Sequence, residues 1–245
     1  MGVIVRYAPP VSAAAMREAY LRYACGRPDL AGVLLPGLLP HDACGAAPRG
    51  RVKVLFVAES PPWAAGGREI AGPADCRDPG YPYFWNDRCD AGPARKPLAG
   101  GLAENLFYLL GLCGVSRREN LDLFTARGFY LVDTVRCVFR KNRKATIPAD
   151  LVRLSAREIL GPEVAALAPE YVVALGNTAL AGLREIEPYA GALAGAGPVT
   201  AIPADRREAL FAEHRLLCLP YPGWRNRRSL DLIEAGLAAV RDLAP

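Results

Sequence analysis

The sequence predicts a three-layer α/β/α protein, in which a central four-stranded parallel sheet lies between helices. Four short runs of apolar, β-prone residues, at 52–58, 129–135, 171–176 and 215–219, predict buried strands. Helical periodicity between these runs indicates right-handed β-α-β units, which produce a parallel sheet covered on both faces. Polar residues, Pro or Gly follow each run, and in such sheets ligands bind at the carboxyl ends of the strands.

The N-terminal part is expected to contain one helix, the first strand and two long irregular segments. Ser12 is suited to cap a helix over residues 13–24, which Gly26 ends. Residues 26–50 are rich in Pro and Gly and form a connector. Residues 60–97 contain many Gly, Pro, Asp and Arg residues, so we expect a long loop on the side of the active site, and loops of that length are usually functional or disordered.

The remaining strands alternate with helices. Helices are predicted over residues 101–112, 148–160 and 229–243. Asn177 follows the third strand, and we expect it to cap the next helix, because an Asn side chain accepts a hydrogen bond from a backbone amide there. The chain shows no internal repeat, and we expect one domain over residues 1–245.

Composition and charge narrow the class of protein. The chain has 245 residues, 51% of them hydrophobic, which is enough to bury a full core. No apolar run approaches the roughly 18 residues that span a bilayer, so we expect a protein of the cytoplasm without a membrane partner. The net charge of +5 permits a nucleic-acid partner without requiring one.

The cysteines and histidines indicate that no cofactor is needed. Seven cysteines are scattered without a C-x-x-C pair, which favours reduced thiols over a disulfide framework. Two histidines, neither at the end of a predicted strand, argue against zinc catalysis and against His-activated nucleophiles. The chain also lacks G-x-G-x-x-G after a strand, a Walker A loop, G-x-S-x-G and H-E-x-x-H.

Characteristic sequences follow the four predicted strands. They are A-E-S-P-P at residues 58–62, D-T-V-R-C at 133–137, G-N-T at 176–178 and Y-P-G-W at 221–224. Because the carboxyl ends of parallel strands meet at one edge, we expect these segments to line one crevice.

The strand-end sequences resemble motifs of the uracil-DNA glycosylase superfamily, most closely its bacterial and archaeal family 4 and 5 branches. Those enzymes carry G-E-A-P-G, T-N-V-V-K-C-R-P-P-x-N-R, L-G-x-T-A and H-P-S at these places. Their G-R-P-F-V-G-P-A-G resembles R-K-P-L-A-G-G at residues 95–101. The resemblance covers about residues 52–240 in the same order and implies the fold of that superfamily.

The resemblance implies catalytic roles for Glu59, Asp133 and Tyr221. Glu59 would orient a water or stabilise a positive sugar, unless it bonds backbone amides of its own loop. Asp133 falls on the Asn that reads the flipped uracil by accepting from N3–H and donating to O4. An ionised carboxylate only accepts, so a base edge with two donors, or a neutral Asp with a raised pKa, would suit it better. The alternative is that Asp133 pairs with a nearby Arg such as Arg136.

Tyr221 falls on the His that stabilises the departing base anion at O2. A Tyr hydroxyl can donate there without ionising, although the ring could also simply pack beneath its loop. The base-binding candidates are Ser60, Phe84, Leu98 and Asn177. Leu98 falls on the family's uracil-stacking Phe and stacks poorly, whereas Phe84 could supply an aromatic platform or anchor the long loop.

Two basic runs flank the predicted crevice, and we expect them to contact DNA. The candidates are Arg136, Arg140, Lys141, Arg143, Trp224 and Arg225. Clustered Arg and Lys residues neutralise phosphates, although a basic run is usually a solvated face. Trp224 and Arg225 occupy the place of the loop that, in the family, wedges into the duplex as the nucleotide leaves the stack.

Family 4 enzymes bind an iron–sulfur cluster through four cysteines, and this chain departs from that pattern. Cys137 matches one ligand, but Ser155 lies near the place of another, and no C-x-x-C corresponds to the N-terminal pair. We therefore expect no cluster.

The resemblance implies a DNA-repair N-glycosylase, a monomeric hydrolase that binds DNA, flips a damaged or deaminated base and hydrolyses its N-glycosidic bond. The alternative is a catalytically inactive member of the same fold that binds nucleic acid or a nucleotide. The replacements at Asp133 and Tyr221 are the features that distinguish the two.

Overall fold

The computed structural model describes residues 10–65, 68–140 and 146–243. The strands are β1 (Leu34–Leu35), β2 (Val54–Ala58), β3 (Ala64–Ala65), β4 (Arg68–Glu69), β5 (Phe129–Asp133), β6 (Val138–Phe139), β7 (Tyr171–Leu175) and β8 (Leu216–Leu219). The α-helices are α1 (Ala13–Ala24), α2 (Pro40–Ala43), α3 (Leu102–Leu109), α4 (Arg117–Ala126), α5 (Ala149–Ser155), α6 (Gly161–Leu167), α7 (Asn177–Leu183), α8 (Tyr189–Ala192), α9 (Ala204–His214) and α10 (Leu230–Leu243).

A four-stranded parallel sheet forms the centre of the fold, as predicted. Its strand order is β5-β2-β7-β8, and each neighbouring pair is parallel. Every residue of β2 and β5 is buried. Because successive side chains of a strand point to opposite faces, burial of the whole strand means that both faces of the sheet are covered. Helix α4 packs on β5, α7 packs on β2 and β7, and α9 and α10 pack on β8.

The parallel register brings the strand ends to one edge of the sheet. Ala58 of β2 is paired with Asp133 of β5, and Leu175 of β7 is paired with Leu219 of β8. The residue that follows each strand therefore emerges at the same edge, which is where the polar residues of the sequence motifs lie.

The long segment between β2 and α3 is irregular apart from the β3–β4 hairpin and a 3-10 turn at Pro73–Arg77. It is nevertheless anchored to the core. The Trp85 indole donates a hydrogen bond of 2.9 Å to the carbonyl of Leu131 in β5. Within the segment, the Tyr81 hydroxyl donates a hydrogen bond of 2.8 Å to the carbonyl of Pro62. Such anchoring gives this loop a fixed position above the sheet edge.

The N-terminal segment is tied to the chain that leaves β5. Strands β1 and β6 pair antiparallel, with Leu34 opposite Phe139. The Ser12 hydroxyl accepts a hydrogen bond of 3.2 Å from the amide of Ala15, which confirms the predicted cap of α1. No helix in the part of the chain that the structure describes is long and apolar enough to cross a membrane.

Some helices were not predicted, and one predicted helix boundary and one predicted helix cap were wrong. Helices α4 and α9 were not predicted, and the predicted helix over residues 148–160 continues through a π-helical turn at Ala156–Leu160 into α6. Asn177 is not the cap of α7: Gly176 occupies that position with a φ of 92°, which favours glycine. The Asn177 side chain instead accepts a hydrogen bond of 2.9 Å from the amide of Val199.

Candidate functional site

A cavity of about 730 Å³ opens at the carboxyl edge of the sheet. Its wall takes residues from the ends of all four central strands, from the long loop, and from the start of α3. The polar residues of the wall that the sequence singled out are Glu59, Ser60, Asp133, Asn177, Tyr221 and Arg225. The expected convergence of the strand ends on one crevice is therefore confirmed.

Asp133 is a buried carboxyl group in the cavity wall, with 3% of its surface exposed. The Tyr83 hydroxyl donates a hydrogen bond of 3.1 Å to Oδ2. Burial raises the pKa of Asp133 to about 7, against the opposing effects of the Arg136 charge and of the Tyr83 hydrogen bond. Near neutral pH this carboxyl therefore exists in both its neutral and its ionised form.

Arg136 does not form an ion pair with Asp133, which was the alternative that the sequence left open. Its guanidinium forms a buried ion pair with Glu163 of α6 and donates a hydrogen bond of 3.0 Å to Nδ1 of His41. The prediction that Arg136 contacts DNA is wrong, because only 2% of its surface is exposed and its charge is neutralised inside the protein.

His41 completes this buried network behind Asp133. A guanidinium can only donate, so Nδ1 of His41 is an acceptor and its ring proton is on Nε2, which lies 2.7 Å from the Tyr130 hydroxyl. Burial, together with the Arg136 charge, holds the pKa of His41 well below its usual value. The ring is therefore neutral and serves to orient Arg136.

Glu59 lies directly after β2, beside the start of α7. The Thr178 hydroxyl donates a hydrogen bond of 2.6 Å to Oε2 of Glu59. The neighbouring Ser60 has a buried hydroxyl oxygen with no hydrogen-bond partner among the described residues. A buried polar atom of this kind in a cavity wall is suited to meet a polar atom of a ligand.

Tyr221 follows β8 and is packed on two glycines. A Cβ atom added at Gly223 would lie 3.1 Å from the Tyr221 ring, and one added at Gly176 would lie 3.3 Å from its Cβ, so both positions leave room for this side chain. Although 37% of the residue is exposed, its surroundings raise the pKa of the hydroxyl to about 12, first by burial and then through the carboxylates of Asp133 and Glu104. The hydroxyl is neutral and able to donate.

Tyr83 and Phe84 form an aromatic wall of the cavity. The Phe84 ring packs on Phe124, with centroids 5.0 Å apart. Leu98, by contrast, is buried in the hydrophobic core with a φ of 58° and is not part of the cavity wall, so its predicted role in base binding is not supported. Trp63, which the sequence analysis missed, also lines the cavity, and its place after two prolines at the end of β2 was the available signal.

The aromatic wall is held in place by Arg117 of α4, a residue that the sequence analysis did not identify. Its guanidinium donates hydrogen bonds to the carbonyls of Tyr83 and Phe84. It also forms a buried ion pair with Glu104 of α3. Since α4 itself was not predicted, the sequence offered no signal for this contact.

The outer rim of the cavity is basic and aromatic. Trp224 is 66% exposed, the Arg227 guanidinium stacks 4.1 Å above its ring centroid, and the exposed Arg225 lies next to it at the rim. Arg140 is engaged with the protein: it forms an ion pair of 3.3 Å with Glu69 and donates a hydrogen bond of 3.1 Å to the carbonyl of Gly32. Two other DNA-binding candidates, Lys141 and Arg143, lie outside the described residues.

The residues at the family's cluster position do not fit an iron–sulfur cluster. Cys137 is buried in an apolar cluster with Met16 and Tyr20. Ser155, at the place of a second ligand, donates a hydrogen bond of 2.6 Å to the carbonyl of Thr134 and bonds the Tyr20 hydroxyl at 2.8 Å. Within residues 10–65, 68–140 and 146–243, no group of three or more His, Cys, Asp or Glu side chains is arranged to hold a metal ion.

Comparison with known proteins identifies the family. No curated protein matches the chain significantly. The sequence model of the uracil DNA glycosylase superfamily matches residues 45–243, which include the whole central sheet and every strand end that lines the cavity. The chain therefore belongs to the uracil DNA glycosylase superfamily.

Proposed function

We propose that this protein binds DNA, takes up a damaged or deaminated base in the cavity after the nucleotide has left the duplex, and hydrolyses its N-glycosidic bond. Membership of the superfamily supports a glycosylase-like function. The observation that carries the finer proposal is that Glu59, Asp133 and Tyr221 line one cavity.

The cavity suits a nucleobase in size and in shape. Its volume of about 730 Å³ lies within the range of roughly 300–1,000 Å³ typical of small-molecule sites. The ring of Phe84 offers an apolar surface for a planar base, and the carboxyl of Asp133 lies in the same wall. An enzyme that acts on a base must take it out of the stack into such a pocket.

The three polar side chains match the charges that develop during hydrolysis. Water attacks C1′ of the sugar and gives up a proton to the Glu59 carboxylate, the C1′–N bond breaks, and the base leaves with the bonding electrons and is then protonated. The sugar becomes positive and the base negative in the transition state, so a carboxylate at Glu59 would stabilise the sugar and orient the water. The neutral Tyr221 hydroxyl would donate to an oxygen of the departing base.

The rim of the cavity supports DNA as the partner. Trp224 is exposed beside Arg225 and below the Arg227 guanidinium, so an aromatic ring and positive charges lie where a duplex would approach. Cationic groups neutralise phosphates, and an exposed ring can replace a base that has left the stack.

Excision assays test the proposal directly. Duplex and single-stranded oligonucleotides that carry uracil, hypoxanthine or xanthine are incubated with the protein, and abasic sites are then cleaved with alkali. We expect excision of at least one of these bases, and its loss in Glu59→Gln. The matched control is Glu158→Gln, which changes a carboxylate on the surface of the π-helical turn, outside the cavity wall.

Binding without excision would contradict the proposal. If the protein binds these oligonucleotides tightly and leaves every base in place, it is an inactive nucleic-acid-binding member of the fold. If it binds none of them and instead binds free nucleotides, DNA is not its partner.

A further inference from the structure

The two oxygens of the Asp133 carboxyl have different surroundings. Oδ2 accepts the hydrogen bond from Tyr83, and this is the one hydrogen bond that the carboxyl makes within the described residues. Asp133 also lines the cavity, so Oδ1 is the oxygen left for a ligand. An Asn in the same place would offer a base one donor and one acceptor, whereas this carboxyl offers a single oxygen whose role depends on a proton.

The Tyr83 hydroxyl is committed to Asp133. It lies 3.4 Å from Nδ1 of His41, but that nitrogen already accepts a shorter hydrogen bond of 3.0 Å from Arg136. Burial and the neighbouring Asp133 charge hold the pKa of Tyr83 well above its usual value, so its hydroxyl remains a donor. Tyr83 thus holds Oδ2 as an acceptor in both forms of the carboxyl.

We propose, as an extension of the proposed function, that Asp133 selects bases that carry a carbonyl in place of an exocyclic amine. It does so by donating a hydrogen bond from a protonated Oδ1, while Tyr83 holds Oδ2. Deamination converts an exocyclic amine, which donates, into a carbonyl, which accepts. A neutral carboxyl can donate to that carbonyl, whereas an ionised carboxylate repels it and favours an amine. The proton on Asp133 therefore sets which class of base the cavity accepts.

The charged and titratable groups that surround Asp133 are compatible with its protonated form. They are Tyr81 and Tyr83 in the long loop, neutral His41 on α2, Arg136 after β5, Glu163 on α6, Tyr221 after β8, and Glu59 at the end of the neighbouring strand. Arg136 is the one cation in this set, and its ion pair with Glu163 reduces its effect on Asp133. The Arg136 charge and the Tyr83 hydrogen bond lower the pKa of Asp133, but burial outweighs them, so the neutral form of the carboxyl persists to about pH 7.

The proposal fixes the direction of the pH dependence. The neutral form is populated below the pKa of about 7, so affinity for a base with a carbonyl should be highest there. Above this pKa the affinity should fall about tenfold per pH unit. By linkage, the bound carbonyl must in turn raise the pKa of Asp133.

The experiment follows the Asp133 carboxyl carbon by NMR in protein labelled with ¹³C at aspartate, over about pH 5–9. The probe is a duplex with one 2′-fluoro-arabinouridine, whose fluorine slows cleavage of the glycosidic bond. The matched control duplex carries 2′-fluoro-arabinocytidine, whose base has an amine in place of the C4 carbonyl. Asp133→Asn identifies the resonance, and fluorescence anisotropy of both duplexes and of an unmodified duplex measures binding separately.

We expect the uridine duplex to raise the pKa of Asp133 by at least about one unit and the cytidine duplex to leave it unchanged or lower it. Tyr83→Phe should raise the pKa of Asp133 in the protein without DNA, because the hydrogen bond from Tyr83 stabilises the carboxylate. Tight binding of the uridine duplex with an unchanged or lowered pKa would overturn the inference and leave the proposed function intact. Equal binding of all three duplexes with an unchanged pKa of Asp133 would likewise overturn the inference alone, whereas binding of none of them would overturn both.

Discussion

The Thr178 hydroxyl donates a hydrogen bond of 2.6 Å to Oε2 of Glu59, and this contact joins the end of β2 to the start of α7. The two residues are 119 positions apart in the chain, yet they meet at one edge of the sheet because β2 and β7 are parallel neighbours. Glu59 thereby has a fixed orientation in the cavity wall before any ligand binds, which reduces the reorganisation required during catalysis.

Removing this hydroxyl should slow excision without weakening DNA binding. Thr178→Val keeps the shape of the side chain but loses the donor, and hydrogen bonds to charged groups contribute about 1.5–3 kcal/mol. We expect the single-turnover excision rate to fall about 10–100-fold with little change in Kd. Thr178→Ser, which keeps the hydroxyl, should retain most of the rate. A loss of rate in Thr178→Ser with an unchanged rate in Thr178→Val would mean that the methyl group, and not the hydrogen bond, is required.

The exposed rim should govern affinity for DNA of any sequence. Arg225→Glu and Trp224→Ala are both expected to weaken binding, and Arg225→Glu should also flatten the dependence of log Kd on log salt concentration, because it removes a phosphate contact. Arg118→Glu, an exposed position on α4 outside the cavity wall, is the matched control for net charge. If Arg118→Glu weakens binding as much as Arg225→Glu, the rim is not a specific contact.

The buried pair of Arg136 and Glu163 should be essential for stability. Glu163→Gln leaves the Arg136 charge buried without its counter-ion, which typically costs about 3–5 kcal/mol. Glu18→Gln breaks an exposed pair with Arg22 on α1 and should change stability by less than about 1 kcal/mol. Urea unfolding measures both, and similar losses would show that the buried pair is compensated elsewhere.

The sequence predicted the sheet and its functional edge because both follow from local patterns. Each apolar run is followed by a polar residue, a proline or a glycine, and the parallel pairing of the strands brings these residues to one edge of the sheet. It did not predict α4, whose segment R-R-E-N-L-D-L-F-T-A is dominated by charged and polar residues and buries few apolar ones, among them Leu121 and Phe124.

Contacts between segments that are far apart along the chain could not be predicted from the sequence. Tyr83 and Asp133 are 50 positions apart, and their hydrogen bond depends on how the long loop folds over the sheet edge. Arg136 belongs to a basic run and was therefore expected at the surface. Its burial results from Glu163, which α6 brings to it from 27 positions away.

The raised pKa of Asp133 predicts how stability depends on pH. Because the pKa of this acid is about 7 in the folded state and near 3.8 as an ordinary carboxyl, folding favours its neutral form. The contribution of the neutral carboxyl to folding stability is fully present below about pH 4 and is lost as the pH rises through about 7, where the buried group must ionise.

Asp133→Asn has no proton to lose and keeps a neutral group of similar size in the wall. Its stability relative to the unchanged protein should therefore increase between about pH 4 and pH 8, by an amount on the order of a few kcal/mol. Urea unfolding of both proteins across this range measures the difference. A difference that stays constant with pH would mean that Asp133 is ionised in the folded protein throughout, and that the carboxylate is stabilised at the site.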